Sequence, residues 1–165
     1  MPTIADFNAA SPADAAHLLR PCLDVERWVT QLVDGRPYAD RAALVAAAEA
    51  AAQPLTRAEI DAALAHHPRI GDRAQGDSTE AGLSRGEQAG LDLEGDVQAR
   101  LAAGNAAYER RFDRVFLIRA AGRTAPQILD HLTARLAHDD ETEAQIVAEQ
   151  LREIAVLRLQ GAVSA

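Results

Sequence analysis

The chain has 165 residues, 48% of them hydrophobic, and a formal net charge of -8. Surfaces that bind nucleic acid concentrate Lys and Arg against phosphates, so this acidic balance argues against a nucleic-acid partner. It favours a small-molecule or protein partner. The single cysteine, Cys22, excludes an internal disulfide and a thiolate metal cluster, and it is typical of a reducing compartment. Because the length suits a single hydrophobic core, we expect one domain over residues 1–165.

No stretch of the sequence approaches the roughly 18 consecutive apolar residues of a membrane span. The N-terminus lacks the basic segment and apolar run of a signal peptide, and residues 162–165 do not form a peroxisomal signal. We therefore expect no membrane partner and a cytoplasmic location.

Apolar residues recur at helical spacing from the N-terminus onward. Ser11 is predicted to be an N-cap, with Pro12 at the first helical position. Pro21 is expected to kink or divide this segment, so that Asp24 caps the helix that follows. A run of small side chains over residues 40–52 predicts a further, closely packed helix.

The next helix has a well-defined start and a histidine at its end. Thr56 and Glu59 have the spacing of a capping box, and the apolar face of the helix would carry Leu64 and His67. Pro68 disfavours helical geometry at the residue before it. We therefore expect His67 at the helix end, with its side chain turned toward the interior.

A polar, Gly-rich passage over residues 71–82 is predicted to be a loop. A loop of this length is uncommon in a compact domain unless it forms a lid or a binding wall. Ser84 and Glu87 repeat the capping-box spacing, so a long helix, weakened by several glycines, is predicted from Ser84 to Phe112. Glu87 would then lie at a helix N-terminus, where free N–H groups suit an anionic substrate.

The C-terminal third predicts further helices. Residues 115–118 are a short apolar run that periodicity cannot assign to a strand or to a buried extended segment, and no sheet partner is available. Thr124 is predicted to cap one helix, and the last helix is predicted to begin at Asp140. Arg158 falls on the apolar stripe of that helix, where a buried arginine needs an anion from the protein or from a ligand.

Together these patterns predict an all-α fold, a single compact domain of about seven to nine helices with no sheet. Within it, His67 is either a core histidine or an acid-base residue. Its place before Pro68 and the polar loop makes it a candidate for chemistry. Glu87 is explained by capping alone, but a carboxylate fixed there also suits the orientation of a histidine or the binding of a substrate N–H group.

A second arrangement of histidines offers the alternative of a metal-dependent phosphohydrolase. It would combine His66 or His67 with His131, His138 and Asp139. Asp139 followed by a second aspartate is better interpreted as a helix end and an N-cap. The sequence contains no zinc-protease, phosphate-binding or serine-hydrolase motif, so we expect neither a metal nor an organic cofactor.

Five motifs in order carry a resemblance to a known family. They are His67-Pro68-x-Ile70-Gly71, Ser84-x-x-Glu87-Gln88-x-Gly90-Leu91, Asn105-x-x-Tyr108-x-x-x-Phe112, Phe116-x-Ile118, and Glu153-Ile154 with Arg158-Leu159. Spread over nearly the whole chain, they resemble the 2-oxo-4-hydroxy-4-carboxy-5-ureidoimidazoline (OHCU) decarboxylase family. The chain departs from the family in the segment before Trp28, which lacks an aromatic-acidic-histidine patch, and at Asp113, where the family tends to have glycine.

The resemblance implies a fold and an activity. It implies an all-α homodimer, a carbon-carbon lyase of urate breakdown that converts OHCU to (S)-allantoin without a metal or an organic cofactor. His67 would be the acid-base residue. Glu87 would orient it or bind ureido N–H groups, and Arg158 would pair with the substrate carboxylate or neutralise charge elsewhere in the pocket. The other implied substrate-binding residues are Pro68, Ser84, Gln88, Phe116, Ile118, Arg119 and Ala120. A non-catalytic helical interaction domain is the remaining alternative.

Overall fold

The structure, a computed structural model, describes residues 1–165 and contains nine helices and no strand. The helices are α1 (Ile4–Ala9), α2 (Pro12–Leu19), α3 (Glu26–Asp34), α4 (Arg41–Ala51), α5 (Arg57–Leu64), α6 (Thr79–Gln88), α7 (Val97–Phe112), α8 (Ala125–Arg135) and α9 (Asp140–Ala162). The β-type pairing is one isolated bridge between Thr3 and Ser164. The predicted all-α fold without a sheet is therefore confirmed.

The chain forms two compact units. The first comprises Met1–Ala63 with Leu151–Ala165, and the second comprises Leu64–Gln150. The boundaries fall at the end of α5 and within α9. The expectation of one domain over the whole chain stays a prediction. None of the nine helices combines the length and the apolar character needed to cross a bilayer.

Side-chain caps begin several helices where the sequence predicts them. Ser11 accepts a hydrogen bond from a backbone N–H at the start of α2, and Thr124 does so at the start of α8. Thr56 and Glu59 exchange two hydrogen bonds, Glu59 N–H to Thr56 Oγ1 at 3.1 Å and Thr56 N–H to Glu59 Oε2 at 3.0 Å. The capping box of α5 is therefore confirmed. The last helix begins at Asp140, as predicted.

The predicted cap of α3 is wrong. Val25 is the N-cap, and it makes no side-chain hydrogen bond to the helix. Asp24 instead accepts a hydrogen bond from Arg20 Nη1 at 3.2 Å, and Arg20 Nη2 donates to Glu26 at 2.7 Å. The sequence signal failed because an aspartate near a helix start has a competing partner in a nearby arginine.

Trp28 lies in the core of the first unit. Its side chain is fully buried, and its indole N–H donates to the Ala48 carbonyl of α4 at 2.9 Å. A buried indole is stable when its N–H finds such an acceptor. The departure from the family pattern before Trp28 therefore leaves its packing satisfied.

The second unit is built around a cluster of apolar side chains from several elements. Its members are Ile70, Leu101, Tyr108, Phe112, Phe116, Ile118, Ala120, Ile128, Leu129 and Leu132. Tyr108 lies at its centre, with ring centroids 4.7 Å from Phe112 and 5.2 Å from Phe116. Residues 115–118 form no strand and cross this cluster as an irregular segment that is mostly buried.

The helix predicted from Ser84 begins earlier and ends much sooner. Ser78 is the N-cap of α6 and accepts from the Ala81 N–H, so the loop is shorter than predicted. Ser84 lies inside the helix and is 3% exposed, on the face that also buries Ala81. The chain then leaves the helix after Gln88 and starts α7 at Val97. The capping-box spacing of Ser84 and Glu87 was misleading, because Ser84 lies within the helix that Ser78 caps.

Two positions of α7, its C-cap and its middle, have a conformation or a contact that favours glycine. Asp113 ends the helix in the left-handed region, with φ 53°, a conformation that favours glycine. Gly104 faces Leu132 of α8, and a Cβ atom on Gly104 would collide with Leu132 Cδ2 and lie 3.2 Å from its Cγ. Leu132 is 2% exposed, so it has little room to move.

We expect Gly104→Ala to lower the free energy of unfolding by about 1–3 kcal/mol, the usual range for overpacking a core. Gly86→Ala in α6 is the matched control, because a Cβ atom there meets nothing within 4 Å. The control should raise stability by about 0.5–1 kcal/mol through helix propensity. Urea unfolding of both variants measures the difference. A Gly104→Ala protein as stable as the control would contradict the close approach of α7 and α8.

Candidate active site

His67 lies just past the end of α5, in the second unit. Its backbone N–H donates to the Leu64 carbonyl at 3.0 Å, which continues the last helical turn. The side chains of His67 and Pro68 are half-buried, whereas His66 is exposed. The predicted helix end is confirmed, but His67 lies beyond the helix and not on its apolar face. His67 is therefore a half-buried residue at the start of the segment that leads from α5 to α6.

The residues after Pro68 lie against one face of α7. Arg69 forms a two-point ion pair with Glu109, with Nε 2.5 Å from Oε1 and Nη2 3.0 Å from Oε2. The Ile70 carbonyl accepts a hydrogen bond from Asn105 Nδ2 at 2.9 Å. Asn105 and Glu109 are four residues apart, so they lie on the same helical face. This face of α7 therefore follows the chain that leaves His67.

Gly71 connects the same segment to α6. Its N–H donates to Gln88 Oε1 at 3.0 Å, and its φ of +92° is one that glycine adopts without strain. A Cβ atom on Gly71 would lie 3.7 Å from Leu101 Cδ1, one turn before Asn105 on α7. Both polar groups of the Ile70–Gly71 peptide are thus held by side chains from different helices.

The predicted site residues of α6 lie in its last turns. Ser84 is buried, while Glu87 and Gln88 are half-buried. Ser84 and Gln88 line a cavity of about 490 Å³ together with Gly71. The structure therefore brings these residues together with the chain that follows His67.

The placement of Glu87 at a helix N-terminus is wrong, because it precedes the last residue of α6. The helix dipole is negative at that end and does not favour a carboxylate or an anion. The argument that N-terminal N–H groups bind an anionic substrate at 84–88 therefore fails. Capping also fails to explain Glu87.

The second predicted wall, residues 116–120, lies in the same unit. Phe116, Ile118 and Ala120 belong to the buried cluster that contains Ile70. The Arg119 N–H donates to Gln150 Oε1 of α9 at 2.9 Å, so this backbone donor already has a partner. The fully buried ring of Phe116 serves packing, which leaves ligand contacts in this segment to backbone groups and to the half-buried Arg119.

Arg158 belongs to the first unit, on α9. It is 5% exposed, and it shares the buried stripe with Leu151 and Ile154, as predicted. Its Nη1 donates to the Pro21 carbonyl at 2.8 Å. A protein carbonyl therefore supplies part of the hydrogen bonding that a buried guanidinium requires.

Sequence reasoning missed a buried ion pair in the second unit. Glu143 is fully buried, and its Oε1 accepts from Arg135 Nε at 2.7 Å and from Tyr108 Oη at 2.6 Å. Arg135 Nη1 donates to the Leu117 carbonyl at 2.7 Å, and His138 Nδ1 lies 3.2 Å from Glu143 Oε2. Burial, and secondarily the bond to Glu143, raises the pKa of Tyr108 above its usual value.

A signal for this ion pair was present in the sequence. Glu143 precedes Val147 by four residues on the buried stripe of α9, and Arg135 follows Leu132 by three on α8. Glu143 also lies in the first turn of α9, where an acidic residue is common without any buried partner. When two consecutive helices each carry a charged residue on their apolar stripe, and the two charges are opposite, a buried ion pair is predicted.

The side chains of the phosphohydrolase alternative have other neighbours. His131 is exposed, with Nε2 2.7 Å from Arg123 Nη1. Desolvation and then the charge of Arg123 lower the pKa of His131. His138 lies against Glu143, and no group of three or more His, Cys, Asp or Glu residues is arranged to hold a metal ion. The structure does not assemble the proposed ligand set.

The sequence was also compared with known families. The family model described as OHCU decarboxylase matches residues 8–160, nearly the whole chain. The chain belongs to the OHCU decarboxylase family. Members of this family are carboxy-lyases, so the predicted enzyme class of carbon-carbon lyase is confirmed.

Two curated relatives support the assignment. A 2-oxo-4-hydroxy-4-carboxy-5-ureidoimidazoline decarboxylase of Amia calva is 34% identical over 133 residues, which cover 78% of this chain and 75% of the relative. A uric acid degradation bifunctional protein of Bacillus sp. (strain TB-90) is 25% identical over 162 residues, 97% of this chain. This chain spans 32% of the length of that bifunctional relative.

Two solved structures share the fold. An OHCU decarboxylase crystallised in the presence of (S)-allantoin superposes with a TM-score of 0.71 at 20% identity, covering 92% of this chain and 97% of that one. An (S)-allantoin synthase gives a TM-score of 0.73 at 20% identity, covering 99% of this chain and 54% of that one. At 20% identity, these two superpositions show that this chain shares their helical fold.

We expect Glu143→Gln to destabilise the protein by about 3–5 kcal/mol, because it leaves the buried Arg135 cation without a counter-charge. Tyr108→Phe removes one hydrogen bond to a charged group and should cost about 1.5–3 kcal/mol. Glu149→Gln, at an exposed position of α9, is the matched control and should change stability by less than about 0.5 kcal/mol. Urea denaturation measures all three. Equal effects at positions 143 and 149 would contradict the buried ion pair.

Proposed function

We propose that this protein decarboxylates OHCU to (S)-allantoin in urate breakdown, with His67 as the acid-base residue. The observation that carries the proposal is the family match over residues 8–160. The Amia calva relative supports the reaction by its name. The half-buried position of His67, at a bend whose following residues are bonded to α6 and α7, supports the choice of residue.

The substrate itself supplies the electron sink. One ring carbon of OHCU carries both the carboxylate and a hydroxyl, and the neighbouring carbon, which carries the ureido group, is part of a C=N bond. When the bond to the carboxylate breaks and CO2 leaves, the electron pair moves toward that C=N bond. The ring nitrogen of that bond accepts the displaced pair and takes up a proton. The hydroxyl then loses its proton and becomes a carbonyl, and the ureido carbon gains a proton. The reaction therefore needs proton transfer and no external electron acceptor.

Histidine suits the proton transfers at the hydroxyl and at the ureido carbon, because imidazole titrates near neutral pH. His67 exchanges protons with the substrate. Glu87 orients His67 or binds the ureido N–H groups, and its half-buried carboxylate lies at the end of α6, the helix that also carries Ser84 and Gln88. Arg158 pairs with the substrate carboxylate or neutralises charge in the pocket.

The remaining proposed contacts form the walls of the site. They are Pro68, Ser84, Gln88, Phe116, Ile118, Arg119 and Ala120. The Arg119 N–H donates to Gln150 and its carbonyl accepts from Arg123 Nε, so the side chain is the group of Arg119 that we propose contacts the substrate. We further propose that the protein acts as a cytoplasmic homodimer, which size-exclusion chromatography with light scattering tests directly.

A coupled assay tests the reaction. OHCU is unstable, so uricase and hydroxyisourate hydrolase produce it in place from urate, and circular dichroism follows the allantoin formed. Uncatalysed decarboxylation in achiral solution adds the proton from either face and gives no optical activity. Addition of this protein should produce a signal of the (S) enantiomer. A racemic product formed at the background rate would reject the proposed function.

His67→Ala should lower kcat by about 10²- to 10⁴-fold, the usual contribution of a positioned acid-base group. His66→Ala is the matched control, since His66 is the exposed neighbour on the same turn. Thermal unfolding of both variants should resemble that of the wild type. The role of His67 is rejected if His67→Ala keeps wild-type turnover, or if the two substitutions reduce turnover equally.

A further inference from the structure

We propose that Asn105 is a positioning residue of this site, which acts by clamping the Ile70–Gly71 peptide and thereby fixes the backbone that presents His67. The role in catalysis rests on the proposed function of His67. The clamp itself is a property of the structure and is measurable without any activity.

The clamp holds one peptide unit from two sides. Asn105 Nδ2 of α7 donates to the Ile70 carbonyl at 2.9 Å, and the Gly71 N–H donates to Gln88 Oε1 of α6 at 3.0 Å. The carbonyl and the N–H belong to the same planar peptide bond, so the two hydrogen bonds together fix the orientation of that plane. Rotation of the plane would break both hydrogen bonds at once.

A clamp is needed here because the peptide precedes a glycine. Gly71 has a φ of +92°, and glycine occupies positive and negative φ with similar ease. Without side-chain partners this peptide would interchange between orientations, and the bend from His67 to Ile70 would move with it. The other end of the bend is already held, because the His67 N–H is bonded to the Leu64 carbonyl.

The environment of Asn105 indicates that its amide is kept for this bond. The residue is 4% exposed, and its Oδ1 is buried without a hydrogen-bond partner. A buried unpaired acceptor destabilises the folded state, so packing and stability alone would favour an apolar side chain. The Ile70 carbonyl requires a donor, and Asn105 supplies it while leaving its own oxygen unsatisfied.

Neighbouring contacts on the same face of α7 cannot replace the clamp. The Arg69–Glu109 pair is exposed to solvent, and such pairs hold a backbone weakly. Leu101 meets Gly71 through apolar contact alone, which does not specify a peptide plane. Asn105 is therefore the residue of α7 that fixes the orientation of this bend.

Asn105→Asp provides the sharpest test, because it keeps the shape of the side chain but a carboxylate has no N–H to donate to the Ile70 carbonyl. We expect kcat to fall at least about tenfold, a loss of about 1.4 kcal/mol, with KM within about threefold, because fewer molecules hold His67 correctly. Asn105 and Gln98 of α7 both line a cavity of about 360 Å³ beside Ile70 and Gly71. Gln98→Ala is the matched control, because the Gln98 side chain is exposed. Its kcat should stay at the wild-type value.

A double-mutant cycle separates positioning from a general structural effect. In the His67→Ala background, Asn105→Asp should cause little further loss of kcat, because residues that act through one group are not additive. If Asn105→Asp lowers kcat by the same factor in the His67→Ala background as in the wild type, the proposal is overturned. If Asn105→Asp does not fold, Asn105→Ala and Gly71→Ala disturb the same peptide without a buried charge, and wild-type kcat in both would overturn it equally.

Hydrogen exchange tests the clamp independently of the reaction. The Gly71 amide should exchange slowly in the wild type and in Gln98→Ala, and at least about tenfold faster in Asn105→Asp, because opening of the peptide exposes it. Unchanged exchange would overturn the clamp even if activity fell. The two proposals can also fail separately. If the wild type makes no (S)-allantoin but Gly71 still exchanges faster in Asn105→Asp, the proposed function is rejected and the clamp is not.

Discussion

The buried carboxylate of Glu143 is the interaction on which the second unit depends. It brings together α9, the end of α8 through Arg135, and α7 through the Tyr108 hydroxyl. Arg135 also bonds the Leu117 carbonyl, so the irregular segment beside the cluster is held by the same ion pair. Each of these groups is costly to bury alone, and together they satisfy one another. The network holds α7 in place through the Tyr108 hydroxyl.

That setting of α7 has a consequence at the proposed site. Tyr108 contacts the ion pair, while Leu101, Asn105 and Glu109, one turn apart from each other, contact the chain after His67. A single helix therefore connects the most deeply buried charges of the unit with its candidate catalytic bend. Rigid helices of this kind place site residues more accurately than loops do. The loop from Gly71 to Ser78 is anchored at its first residue, where α6 and α7 both contact it.

Much of the fold is predictable because its signals are local. The capping boxes and N-caps depend on side chains a few residues apart, and they located α2, α5 and α8 correctly. The start of α6 failed because Ser84 has Glu87 at the spacing of a capping box, whereas Ser78, the actual N-cap, has Ala81 at that spacing. The clamp on the Ile70–Gly71 peptide was not predictable, since its partners are backbone groups that no side-chain pattern reports.

The failed prediction at Glu87 changes how that residue is understood. A glutamate three positions after a capping serine needs no function, because the helix start explains it. Near the C-terminal end of α6 the same carboxylate is disfavoured by the helix dipole and gains nothing from capping. The buried oxygen of Asn105, which has no hydrogen-bond partner, is a local cost on the following helix, α7. A local cost of this kind is expected where a residue serves chemistry, and Asn105 lies on a helix that holds the bend after His67.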